Sequence, residues 1–251
     1  MKVIPIGLGL FSVRRALEGD LEGTLCKVRD MGYEAVEFFG KAHDDPARVK
    51  AALAAAGLKV AGWHISIDTL SDAVFGATVA YHKAIGNKNL VVPGLPEEMT
   101  CSAAAWRATS AKMGGFVAKL AAEGMTLGYH NHHTEFAVLE GGQCAWDIMA
   151  GAPGLVLQLD NGNAMMGGAD TLAMLKKYPG RGLTVHLKPY SLKDGHSTMI
   201  GEDDIPWLET FAELERQDAT ECALVEYEDA KYEEFEGVRL CIEALKALGK
   251  A

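Results

Sequence analysis

The chain has 251 residues and 49% hydrophobic content, enough to bury a large core in one domain. Its formal charge of -10 argues against a nucleic-acid partner, because phosphate contacts need clustered Lys and Arg. Five scattered cysteines (Cys26, Cys101, Cys144, Cys222, Cys241), with no C-x-x-C pair, argue against a disulfide framework or a zinc knuckle and fit a reducing compartment. No apolar run approaches the roughly 20 residues of a membrane helix. The apolar stretch after Lys2 is short, runs into Arg14-Arg15 and lacks a small-x-small cleavage site. A soluble, cytoplasmic protein with no membrane partner is expected.

Residues 3–11 read as a buried strand, with Gly7 and Gly9 where side chains must be small. Residues 17–31 carry apolar residues at helical spacing (Leu21, Leu25, Val28, Met31), and Gly32 is a stop signal. A second strand spans 35–39. Asp45-Pro46 then opens a helix that Gly57 closes. The same alternation continues with strand 59–65, helix 73–85, strand 89–93, helix 103–123 and a fifth strand from Leu127. Strand 155–160, helix 170–178, strand 183–188, helix 205–216, strand 223–227 and helix 235–248 complete it. Strands alternating with helices predict a parallel sheet with helices outside. Eight such units predict a closed (β/α)8 TIM barrel, a single domain over 1–251. The rival, a doubly wound open sheet, would want a glycine-rich phosphate turn, and Gly7-Leu8-Gly9-Leu10 lacks the third glycine.

In such barrels function sits where the strands end at their C-terminal side. The polar residues there are Glu37, His64, His130 with His132 and Glu135, Asp160 with Asn161, His186 with Lys188, and Glu226 with Glu228. Alternate side chains of a strand share a face, so His130 and His132 point the same way. Each residue alone could be a satisfied structural polar group or a solvated loop residue. Charged groups at positions otherwise apolar are costly unless paired or bound to metal, and four consecutive strand ends carry one. Three carboxylates with one imidazole would make a hard, mainly oxygen site for manganese, with magnesium or cobalt as alternatives.

Leu10-Phe11-Ser12-Val13-Arg14, Tyr129-His130-Asn131-His132-x-x-Glu135-Phe136, Leu159-Asp160, His186-Leu187-Lys188 and Val225-Glu226 together resemble the sugar phosphate isomerase/epimerase family, which shares the xylose isomerase-like barrel. The branch with a Y-H-N-H motif is the nearest in pattern, and 201–207 resembles its G-x-G-x-I-x-W segment. The resemblance implies a Glu-Asp-His-Glu metal set. Asp160, His186 and Glu226 take the last three places. Glu135 is the preferred first ligand, and His130, at the usual glutamate position, is the alternative. Pro189 stands where relatives often have Asp, and Asp203 replaces a glycine.

The activity expected is metal-dependent isomerisation or epimerisation of a sugar by proton transfer beside a carbonyl, through an enediolate. Glu226 or His132 is the candidate base, with His64, His130 and Lys188 orienting or polarising the substrate. Glu37, Trp63 and Phe38 are candidate substrate contacts. The alternative is a lyase that cleaves 3-oxo-glycosides by elimination after the same proton abstraction. A DNA-repair endonuclease would need a basic face, and a non-catalytic binding barrel would need no metal. A homo-oligomer or association with a second subunit is compatible with the chain.

Overall fold

Eight strands lie in one parallel sheet: β1 (Ile6–Gly9), β2 (Ala35–Phe39), β3 (Lys59–His64), β4 (Asn89–Val92), β5 (Thr126–His130), β6 (Val156–Gln158), β7 (Thr184–Leu187) and β8 (Cys222–Val225). The computed structural model describes residues 3–42, 44–229 and 231–251; Met1, Lys2, His43 and Ala230 lie outside the described residues. The strand order is β6-β5-β4-β3-β2-β1-β8-β7. The remaining seam is spanned by a parallel bridge between Asp160 and His186, where the His186 N–H donates to Leu159 O at 2.8 Å. The sheet therefore curls into a nearly closed barrel, as the alternating pattern predicts.

Among the described residues, ten α-helices follow in chain order: α1 (Arg14–Gly19), α2 (Leu21–Met31), α3 (Pro46–Ala56), α4 (Phe75–Ile85), α5 (Ala103–Ala122), α6 (Ala145–Ala150), α7 (Asn161–Met166), α8 (Thr171–Lys177), α9 (Trp207–Gln217) and α10 (Glu234–Ala247). Their starts are written locally. Asp20, Ser102 and Asp170 accept from the N–H groups of Gly23, Ala105 and Ala173 at 2.8, 3.1 and 2.9 Å. Asp45 caps α3 with Pro46 in its first turn, and Gly32 and Gly57 end α2 and α3 in the left-handed conformation. The expected helix over 17–31 is two helices instead. Asp20 adopts an extended backbone between them and caps the second.

Inside the barrel, the N-terminal end is filled by small or apolar side chains, Ala35, Ala61, Cys222 and Leu224. Gly7 completes that layer, since a Cβ there would lie 2.8 Å from Leu224 Cδ2 and 2.9 Å from the Ala35 carbonyl. A register shift between β2 and β3 pairs Val36 with Val60 but Glu37 with Gly62. Above that layer the interior turns polar, and the outward faces of the strands pack into the main core beneath the helices. This layering places the buried Glu37, His130, Asp160, His186 and Glu226 above the apolar layer, toward the end where the strands stop.

Candidate metal centre at the strand ends

His130, Asp160, His186 and Glu226 come from β5, the turn after β6, β7 and the end of β8, and all four are buried. One ligand atom from each lies within 4.8 Å of the others. Asp160 caps α7 through Oδ1, which accepts from the Asn163 N–H at 2.7 Å. That leaves Oδ2 buried with no hydrogen bond, 3.9 Å from Nε2 of His130. Nδ1 of His186 is likewise buried without a hydrogen bond, 3.0 Å from Glu226 Oε2. Donor atoms about 2 Å from a shared cation sit about 3 to 4 Å apart, so these separations fit a divalent ion. Two orphaned polar atoms aimed at the same space are what the site would show if a cation were their partner.

The ring tautomers follow from the layer below. Gln158 donates through Nε2 to Glu37 Oε1 and Thr184 Oγ1, both at 2.8 Å. Its Oε1 is left as an acceptor 3.0 Å from Nδ1 of His130 and 2.7 Å from Nε2 of His64. His130 therefore carries its proton on Nδ1 and turns the Nε2 lone pair toward the space it shares with Asp160 Oδ2. Glu37 Oε2 lies 2.7 Å from Nε2 of His186 and 2.9 Å from Nε2 of His64. His186 thus donates from Nε2 to Glu37, which leaves Nδ1 as the atom on which a cation would take the place of a proton. Carboxylates or amides holding the far nitrogen of a ligating imidazole are the usual support of metal sites. His64 also converges with His130 and His186. Its Nε2 is already committed to Gln158 and Glu37, so the group with Asp160 and Glu226 is the candidate centre.

The electrostatics are those of a crowded, dry cluster. Burial raises the Asp160 carboxyl to about 7, with Glu226 adding to the effect. Burial works against a charge on His186, but Glu37 and Glu226 outweigh it and push the ring up to about 10. Burial would likewise raise Glu226, yet Lys188 and His186 hold it well below the carboxylate range. Glu37 is held low against burial by His64 and His186. The charges balance one another, which is how so many ionised groups tolerate the interior.

Two amides clamp the strand ends. Asn131 accepts from the Asp160 N–H at 2.8 Å and donates to the Asp160 carbonyl at 3.2 Å, tying β5 to the ligand after β6. Asn161 donates to the His186 carbonyl at 2.8 Å across the seam of the barrel. Gln158 has no role among the sequence expectations, and Asn131 stands there only as part of a motif. Their signal was present: Gln158 is a polar residue in an apolar strand, two positions before Asp160 and on the same face.

Over the centre opens a pocket of about 640 Å³. His64, His130, His132, Lys188 and Glu226 line it on the barrel side, and Phe11, Phe39, Pro93 and Met166 contribute apolar surface. Lys188 Nζ donates to Glu226 Oε1 at 3.0 Å and Glu228 Oε1 at 2.8 Å. His132 lines the pocket with its ring 5.4 Å from that of His130.

Four of the expected site residues lie outside both the converging group and the pocket lining. Glu135 is not in the converging group. The 3-10 turn Thr134–Phe136 carries it to the outside of the barrel, where Oε1 accepts from the Tyr129 hydroxyl at 2.7 Å. Its Oε2 accepts from His132 N and Thr134 Oγ1, both at 3.0 Å. Trp63 and Phe38 are not pocket walls. They stack on each other at 4.6 Å, and the Trp63 indole donates to Gly40 O at 2.8 Å, because the neighbours of inward His64 and Glu37 must point outward. Glu37 lies beneath the pocket rather than in its lining, as a support for two imidazoles. Asp203 is spent on the seventh loop itself, accepting from the Trp207 indole at 2.8 Å.

Comparison with known proteins agrees with this architecture. A family model described as xylose isomerase-like TIM barrel matches residues 25–250. A sugar phosphate isomerase/epimerase from Parabacteroides distasonis superposes with a TM-score of 0.83 at 23% identity, covering 97% of this chain and 98% of that one. An L-ribulose 3-epimerase gives 0.71 at 17% identity, covering 98% and 94%. The probable 3-DHS dehydratase AsbF from Bacillus anthracis gives 0.73 at 13% identity, covering 97% and 99%. These likenesses speak to the fold. No curated protein matches the sequence. With the family model covering most of its length, the chain belongs to the xylose isomerase-like TIM-barrel family.

Proposed function

We propose that this chain is a divalent-metal-dependent enzyme of the Y-H-N-H branch that isomerises or epimerises a sugar by moving a proton beside its carbonyl. The observation that carries this reading is the pair of orphaned atoms, Asp160 Oδ2 and His186 Nδ1, converging with His130 and Glu226 under a pocket. His130, Asp160, His186 and Glu226 would hold the ion. Two imidazoles and two carboxylates favour manganese or cobalt over magnesium, which prefers an all-oxygen shell. Bound there, the ion supplies positive charge for the oxygen that becomes anionic as the proton leaves.

The protein's own groups do the rest. Lys188, fixed between Glu226 and Glu228, donates its remaining N–H to a substrate oxygen from the pocket wall. His132, in the lining but outside the ligand set, accepts the proton and returns it. Glu226 is the second candidate base. His64, its Nε2 held by Gln158 and Glu37, orients the sugar. The reaction is assigned to one barrel domain over 1–251, and the free cysteines suit a cytoplasmic, reducing setting. Among the described residues, no helix is long and apolar enough to cross a membrane. A homo-oligomer or a second subunit is compatible with this reading.

A lyase acting on 3-oxo-glycosides is the second reading, favoured by the apolar pocket surface at Phe11, Phe39, Pro93 and Met166, where a leaving group could lie. Metal analysis of the purified protein, followed by a panel of ketoses and 3-oxo-glycosides, tests both. Bound metal with ketose interconversion supports the isomerase. Release of free aglycone without interconversion selects the lyase. Absence of divalent metal overturns the proposal.

A further inference from the structure

The pocket over the candidate centre combines few free cationic side chains with apolar surface in its lining. Among the described residues lining it, Lys188 is the only lysine or arginine, and Glu226 and Glu228 already hold its Nζ at 3.0 and 2.8 Å. A divalent ion would be neutralised by Asp160 and Glu226, and Lys188 by Glu228. Glu37 adds a further buried carboxylate beneath. No lysine or arginine charge is left over for a phosphate ester, and burial disfavours a charge on His132 and His196, the latter with Nδ1 3.0 Å from the Pro189 carbonyl. Among the described residues, the α-helix contributing to the lining is α7, which has six residues and a first turn capped by Asp160.

Arg14 does not supply the missing charge. It lies 4.5 Å over the Phe11 ring, donates to the Phe11 carbonyl at 2.9 Å, and lines a separate cleft with Glu228, Asp229, Glu233 and Glu234. The pocket's contribution from that side is the Phe11 ring itself. Phe11 and Phe39 meet edge to face at 5.1 Å, and Met166, at the end of α7, is 45% exposed in the same lining. Exposed aromatic and thioether surface in a pocket is costly in water and is relieved by an apolar ligand group.

We infer that the substrate is a non-phosphorylated sugar whose distal end bears an apolar substituent, seated against Phe11, Phe39, Pro93 and Met166. This rests on the reading of the pocket as a metal-assisted sugar-carbonyl site. The test is calorimetric titration of the manganese-loaded protein with the four common ketohexoses, their 6-phosphates and their 6-O-benzyl ethers. For the ketose that binds, the benzyl ether is expected to bind about tenfold more tightly than the free sugar, the effect of burying one small aromatic group. The 6-phosphate is expected to bind no better than the free sugar. Phe11→Ala with Phe39→Ala is expected to abolish the benzyl preference. A 6-phosphate that binds most tightly, or a benzyl preference that survives the double variant, overturns this inference while leaving the sugar-site reading intact. Metal uptake with no binding of any sugar or derivative overturns both.

Discussion

Gln158 and His130 meet at 3.0 Å, Oε1 to Nδ1, and that contact decides which ring nitrogen faces Asp160. The same amide oxygen restrains His64, and the amide nitrogen anchors to Glu37 and Thr184. Removing it frees His130 to flip or change tautomer. Gln158→Leu is therefore expected to weaken divalent-metal binding about 10- to 100-fold, the usual cost of losing such a support. Chelator competition measures it. Unchanged affinity would show that the amide does not set the ligand.

His130 and Glu135 compete for the first ligand position, and their variants separate them. His130→Ala is expected to lose metal. Glu135→Gln is expected to keep it, because the carboxylate is spent on Tyr129, His132 N and Thr134. Glu135→Ala would leave buried donors unpaired and cost about 1 to 3 kcal/mol, seen as a lower denaturation midpoint. Metal lost from Glu135→Gln and retained in His130→Ala would reverse the assignment.

Gly62 sits under the centre for steric reasons. A Cβ at that position would lie 2.7 Å from Glu37 Oε1, which is held by Gln158. Gly62→Ala is expected to displace the Glu37 carboxylate and destabilise the fold by about 1 to 3 kcal/mol, as overpacking does. Metal affinity should fall with it, because Glu37 orients His186. A variant with wild-type melting temperature and metal affinity would contradict this coupling.

His82 gives the fold an acid-sensitive point far from the chemistry. Burial on the inner face of α4, against Trp63 and Tyr81, lowers its pKa to about 4, and Nδ1 accepts from Asn87 at 3.2 Å. The folded protein thus resists a proton that the unfolded chain binds near pH 6.5. Its contribution is fully present above about pH 6.5 and is lost as the pH falls toward 4, by at most about 3 kcal/mol. His82→Gln should flatten stability against pH in that window. An equally steep acid limb in the variant would assign the sensitivity elsewhere.

The residues that were legible in sequence are those whose message is local. Asp45 with Pro46 before α3, Gly57 after it, and the apolar runs of β2 and β7 announce element boundaries within a few positions. Asp160, His186 and Glu226 were legible because a charge in an apolar strand needs a partner. Glu135 misled because proximity in sequence to His130 says nothing about side. One 3-10 turn sent it outward to Tyr129, the outward neighbour of His130. Trp63 misled in the opposite way: it adjoins His64, and strand alternation alone places the two on opposite faces.

By itself the sequence determined an eightfold strand–helix alternation and an ionisable group at each of the last strand ends, because pleat, helix period and capping act over a few residues. Only the tertiary structure decided which atoms converge. Gln158 and Glu37 are 121 residues apart, yet their contact at 2.8 Å organises three imidazoles. The curl of the sheet brings them together, and no local pattern encodes it. Burial then makes each unpaired nitrogen and oxygen costly, which is why the barrel's closure, rather than any motif, defines the site.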